Sequence, residues 1–124
     1  MKRLLPLFSL LTAVACQPHY DGIELTLSSE PPVPVRISGE EIEMPVGIAV
    51  AVEALPQSSS RFNYYEDDPL ELRSQDRGIL RVELTENPRT FVFIAVSPGE
   101  TCIEVEVVGD DHGCIPATVL AAPN

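Results

Sequence analysis

The chain has 124 residues, a formal net charge of −11 and no tryptophan. That length holds one small domain with one core and is too short for two. So acidic a chain is repelled by phosphate backbones and anionic headgroups, and its few bases form no basic stripe, which argues against nucleic-acid binding.

Read in chain order, Met1-Lys2-Arg3, the apolar run 4–14 and the small residues Ala13 and Ala15 ahead of Cys16 have the layout of a secretory signal. The run is well short of the roughly 20 residues that span a bilayer, so it is not a transmembrane helix. Ala13-Val14-Ala15-Cys16 resembles the lipobox of bacterial lipoproteins, with Ala13 where Leu is commonest. The resemblance implies cleavage before Cys16, a diacylglycerol on its thiol and an acyl group on its amine. An ordinary signal cut after Ala13 or Ala15 is the alternative. On the lipoprotein reading, residues 1–15 are signal peptide, 16–22 a lipidated tether and 23–124 the domain. Losing Lys2 and Arg3 takes the formal charge from −11 to −13 and leaves arginine as the only base. Similarity to Gram-negative lipoproteins, with Gln17 rather than Asp after the cysteine, implies a place at the outer membrane.

Residues 17–22 (QPHYDG) offer no face to bury, whereas 23–27 (IELTL) alternates apolar and polar with period two, the mark of a half-buried strand. Pro31, Pro32 and Pro34 cannot donate ladder hydrogen bonds, so that stretch is an edge strand or an extended connector. In the next stretch Val46, Ile48, Val50 and Val52 share one face, and Gly47, Ala49, Ala51 and Glu53 the other, the clearest core strand in the chain. Its β-branched run disfavours a helix. Phe62 and Tyr64 share a strand face, Asp67-Asp68-Pro69 turns the chain, Leu70-Glu71-Leu72 is briefly extended, and Asp76-Arg77-Gly78 turns again. ILRVEL (79–84), FVFIAV (91–96), CIEVEVV (102–108) and residues 115–120 complete seven or eight strand candidates, with no amphipathic helix. The expected fold is all-β, an immunoglobulin-like β-sandwich of about seven strands. Its expected core is Val50, Val52, Ile94, Val96, Ile103 and Val105.

If Cys16 is lipidated, Cys102 and Cys114 remain as an even pair in an oxidising compartment, where paired cysteines usually bridge. A symmetric hairpin closed by GDDHG (109–113) would set Cys114 opposite Val108, about 20 Å of strand from Cys102. A bridge therefore requires the second strand to be offset, or the turn to fold back. Free or intermolecularly paired thiols are the alternative.

The succession FVFIAV then SPGETCIEVEV resembles the end of a bacterial immunoglobulin-like domain of the group 2 type, and Asp67-Asp68-Pro69 before Leu70-Glu71-Leu72 is similar to a turn and short strand of that family. The similarity runs over roughly 43–119. The tryptophan often found on the third strand is absent, with Tyr64 or Tyr65 in its stead. The resemblance implies a structural or adhesive module at a cell surface and brings no catalytic residues.

No G-x-S-x-G, H-E-x-x-H or glycine-rich phosphate loop is present, and the two histidines are His19 beside the anchor and His112 in an acidic turn. His112 with Asp110 and Asp111 are three consecutive side chains, which seldom converge on one ion. Cys102, Cys114 and His112 lack C-x-x-C spacing and a fourth zinc ligand. Glu66, Asp67, Asp68, Asp110 and Asp111 offer hard oxygens to calcium but match no EF-hand, and solvated turns account for them. The reading is therefore no metal, no cofactor and no catalysis. Recognition is expected on the loops, at Tyr64, Tyr65, Asp67, Asp68, Asp110, Asp111 and His112, toward a protein or surface ligand. The expected function is a membrane-anchored interaction or adhesion module; a structural envelope component and a secreted enzyme accessory or inhibitor are the alternatives.

Overall fold

A computed structural model describes residues 18–60 and 63–122. The signal segment, Cys16, Gln17 and Phe62 lie outside the described residues. Nine strands follow one another: β1 (Tyr20–Leu27), β2 (Arg36–Ile37), β3 (Ile42–Pro45), β4 (Ala49–Ser58), β5 (Leu70–Ser74), β6 (Leu80–Leu84), β7 (Thr90–Ala95), β8 (Gly99–Val107) and β9 (Asp110–Leu120). They form a four-stranded sheet, β1-β4-β7-β6, and a five-stranded sheet, β2-β3-β9-β8-β5. All neighbours are antiparallel except β3 and β9. Relabelled in immunoglobulin terms, these are A-B-E-D against G-F-C, with β3 as an extra strand beside G. The fold is an all-β, immunoglobulin-like sandwich.

Period-two alternation builds the core. Val50, Val52 and Ala54 on β4 meet Leu72 on β5 and Ile103, Val105 and Val107 on β8, all nearly or fully buried. Two expected core members do not join them. Ile94 is half-buried, and Val96 is 43% exposed just beyond β7. The strand carries apolar residues on both parities, and the inward one is Phe91, Phe93 and Ala95. The two rings occupy far more inter-sheet volume than Val and Ile would, so their burial sets the phase.

The stretch 38–56, expected to hold one strand, holds two. Ile42 and Met44 on β3 belong to the five-stranded sheet and are buried. Val46 N–H then donates to Leu120 O in that sheet, whereas Gly47 N–H donates to Ala95 O in the other, so the chain changes sheets between these two residues. Ile42-Glu43-Met44 alternates as a strand should, but Pro45 and Gly47 conceal it among turn residues.

The hairpin joining β8 to β9 also differs from expectation. Its loop is Val108-Gly109, between the paired Val107 and Asp110, with φ of 50° and 81°. Both values are positive, the signature of a two-residue type I′ turn whose twist matches its strands. Residues 110–113 are therefore strand, and β9 is shifted relative to a hairpin turning at GDDHG. Cys102 pairs with Pro116 and Glu104 with Cys114, which sets the cysteines on a diagonal. They are bridged, with a Cα–Cα distance of 5.5 Å, inside the range a disulfide tolerates. The offset that a bridge requires is thus supplied by the turn together with a one-residue register shift between Glu104 and Glu106, which brings both cysteines to one face. Valine tolerates a left-handed backbone poorly. Val108→Asn, giving Asn-Gly at this turn, is expected to raise stability by about 1 kcal/mol; an unchanged or lower urea midpoint would show that the turn is not strained.

Candidate interaction site

One end of the sandwich gathers residues that are distant in sequence. The register of the β8–β9 ladder slips between Glu104 and Glu106, so that β9 carries an extra residue there. Gly113, with φ 94°, sits in this bulge, and its N–H donates to Asp111 Oδ1 at 2.8 Å. Bulges re-aim side chains. Here His112 stacks on Tyr20 with ring centroids 4.0 Å apart and planes 12° from parallel. Tyr20 belongs to the other sheet, so the stacked pair closes this end of the sandwich. A second bulge, at Tyr20/Gly22 on β1, places Tyr20 there.

Tyr64 completes the group. Its segment is held by Asp68, whose Oδ2 accepts from Tyr65 N–H at 2.7 Å while its own N–H donates to Tyr65 O at 3.1 Å. Arg89 Nη2 also donates to Tyr65 O. Arg89 is buried, and Nη1 has no hydrogen-bond partner among the described residues. Val108 N–H donates to Pro69 O at 2.8 Å, which ties the hairpin turn to the end of the same loop. Between these parts lies an open hollow of about 400 Å³ lined by Pro18, His19, Tyr20, Tyr64, Val107, Val108, Asp110 and His112.

Burial raises the Tyr20 phenol above its ordinary range, with neighbouring Tyr64 adding to the effect. Tyr64 is raised by burial and then by the carboxylates of Asp110 and Asp68. Both phenols are therefore neutral donors at physiological pH. Because the folded state holds these protons more tightly than the unfolded chain, the associated stability is complete below pH 10 and declines as pH climbs through the raised values. Absorbance titration at 295 nm should show these two phenols ionising later than a free tyrosine, with the late component reduced by Tyr20→Phe or Tyr64→Phe. A wild-type curve with only an ordinary tyrosine midpoint would contradict this.

Of the residues expected from sequence, Tyr64, Asp110 and His112 line the hollow, and Asp68 shapes it from below. Tyr65 is 74% exposed, and Asp67 and Asp111 also face solvent; none of the three lines the hollow. The expected strand face shared by Phe62 and Tyr64 involves Phe62, outside the described residues; residues 63–65 themselves are irregular. Sequence reading missed Tyr20 and His19, assigning them to a tether. The alternation of IELTL carried backward points Asp21 inward and Tyr20 outward, and the bulge at Gly22 reverses that parity. Arg89 was missed as well, since nothing in TENPR distinguishes a buried arginine from a solvated one. Among the described residues no three His, Cys, Asp or Glu side chains are grouped to hold a metal ion.

These features define a class: an immunoglobulin-like sandwich with an aromatic, acid-rimmed hollow at one end. No protein-family model matches the chain, and no curated protein does. Similarity is found among solved structures. The surface-layer protein SbsC, domains 1–6, superposes with a TM-score of 0.59 at 12% identity over 87% of this chain. SbsC domains 5–6 give 0.56 at 12% over 77%, and domains 4 and 5 give 0.51 at 15% over 74%. The chain spans 14% of the six-domain structure and about half of each two-domain one, 47% and 54%. At such identities the likeness is one of fold.

Proposed function

We propose that this protein is a lipid-anchored, non-catalytic module of the bacterial cell envelope that makes contacts with another protein or surface ligand. The carrying observation is the convergence of Tyr20, Tyr64, Asp110 and His112 in one hollow, which joins the two loop segments that composition singled out separately. Rigid aromatic faces with adjacent carboxylates suit recognition, because rings give large contact area at little entropic cost. Fold likeness to surface-layer domains and the lipobox at Cys16 support an envelope setting; a group 2 immunoglobulin-like ancestry fits the same picture. The surface-layer likeness also favours a second reading, in which the module is a structural part of an envelope assembly.

Photo-crosslinkers placed at His19 and His112, both lining the hollow, should trap one discrete partner in intact cells, and a crosslinker at Glu24, on the solvent face of β1, should not. Equal labelling from all three positions would overturn the recognition site. The anchor is tested separately: the wild type should enter the detergent phase and carry acyl mass on Cys16, and Cys16→Ser should remain aqueous.

A further inference from the structure

The far side of the sandwich, away from the hollow's β1 wall, ends in two open strand edges, β5 and β6. On β1 the edge is closed off: Gly39 sits so near Ile23 O that a Cβ there would lie 1.8 Å from it. Among the described residues no strand pairs with the outer edge of β6. Ala95 directs its N–H and C=O toward the β3–β4 segment, bonding Ile48 O and Gly47 N, so Ile94 and Val92 direct theirs to β6, where they face Arg81 and Glu83. Alternation then turns the backbone groups of Val82 and Leu84 outward to the open edge. Leu84 is 78% exposed, the most exposed large apolar side chain among the described residues.

An unpaired edge is a template for another strand. The charges on β6 specify which. Arg81 and Glu83 flank Val82 and point to the same face, with Arg77 also on Glu83 at 3.4 Å. Two β6 strands related by a two-fold axis through Val82 would set Arg81 opposite Glu83 of the second copy, and Glu83 opposite its Arg81. Opposite charges directly across antiparallel strands attract, and like charges repel. Two copies of a chain of charge −11 repel one another overall, and at this edge Arg77 and Arg81 offset Glu83 and the nearby Glu86. Arg81 is paired with Glu83 of its own strand at 2.5 Å, so in such a pairing each arginine would be shared between its own carboxylate and that of the second copy. The edge of β5 is less suited, because the adjoining solvent face carries Glu104 and Glu106, whereas beside β6 it carries the half-buried Val92 and Ile94.

We propose that this protein self-associates as a two-fold dimer through antiparallel pairing of its β6 strands, centred on Val82. The pairing joins two four-stranded sheets into one of eight strands, aligns Leu84 with Leu80 of the second copy, and leaves both hollows free for ligand. Such an interface is isologous, so it closes at two copies.

The test uses the full chain. Differently tagged Arg81→Cys and Glu83→Cys chains, mixed and oxidised, should give a disulfide-linked heterodimer well ahead of either homodimer, because only residues 81 and 83 face each other. In sedimentation equilibrium in density-matched detergent, Arg81→Glu should weaken the dimer by about tenfold or more, and adding Glu83→Arg to it should restore association. A monomeric wild type at 100 μM-scale concentration (an order-of-magnitude choice bracketing weak dimers), equal crosslinking of all three cysteine pairs, or failure of the double swap to restore the dimer would overturn the pairing. Any of these results beside persistent crosslinking from His112 would leave the recognition site standing.

Discussion

Ile103→Ala is expected to cost about 2 to 5 kcal/mol, a large part of the stability of a domain this size. Ile103 is fully buried near the centre of β8, paired with Ser74 on one side and Ile115 on the other, in the same core cluster as Phe91 and Phe93. Neighbouring strands on both sides prevent the site from collapsing, so a cavity remains after truncation. With 1 kcal/mol worth roughly 4 to 8 °C in a domain of about 100 residues, the melting temperature should fall by about 8 °C or more. Val96→Ala serves as the contrast. Val96 is 43% exposed, and its truncation should cost about 1 kcal/mol or less. Equal losses in the two variants would refute the inward parity assigned to β7 and the core drawn from it.

Removing the Cys102–Cys114 bridge has the next largest expected effect. The two cysteines are 12 residues apart, and cross-linking a loop of that length restricts the unfolded chain by about 3 kcal/mol in the chain-entropy account. Cys102→Ser with Cys114→Ser should lower the urea midpoint accordingly, and a thiol reductant should do the same to the wild type, since Cys114 is exposed on the sheet surface. The hairpin should persist in both cases. Its Val108-Gly109 turn and the ladder from Gly99↔Val119 to Val107↔Asp110 do not pass through the sulfurs. Identical unfolding of oxidised and reduced protein would mean that the bridge does not restrict the unfolded chain.

Much of the architecture was legible in local pattern. IELTL, CIEVEV and the β-branched run around Val50 alternate with period two, and period two is a property of the strand itself, requiring no partner to be known. The closely spaced turn residues and the absence of helical periodicity then restricted the fold to a sandwich. The loops that carry the hollow could be named for a similar reason: aromatic and acidic residues in turn-forming sequence have no core to enter.

Register, parity and convergence were not legible. In β7 both parities are apolar, so the inward set is chosen by which residues fill the gap to the opposite sheet, and Phe91 and Phe93 outweigh Ile94 and Val96. Tyr20 and His112 are each turned inward by a bulge, and a bulge is an extra residue relative to a partner strand that is far away in sequence. The disulfide follows the same rule, because Cys102 and Cys114 meet only through the offset that the Val108-Gly109 turn and the β9 bulge together impose. Composition and alternation, being local, were determined by the sequence alone. Which side chains face one another was decided by the pairing of strands, where a one-residue slip reverses every face and only burial of the whole core selects among the registers.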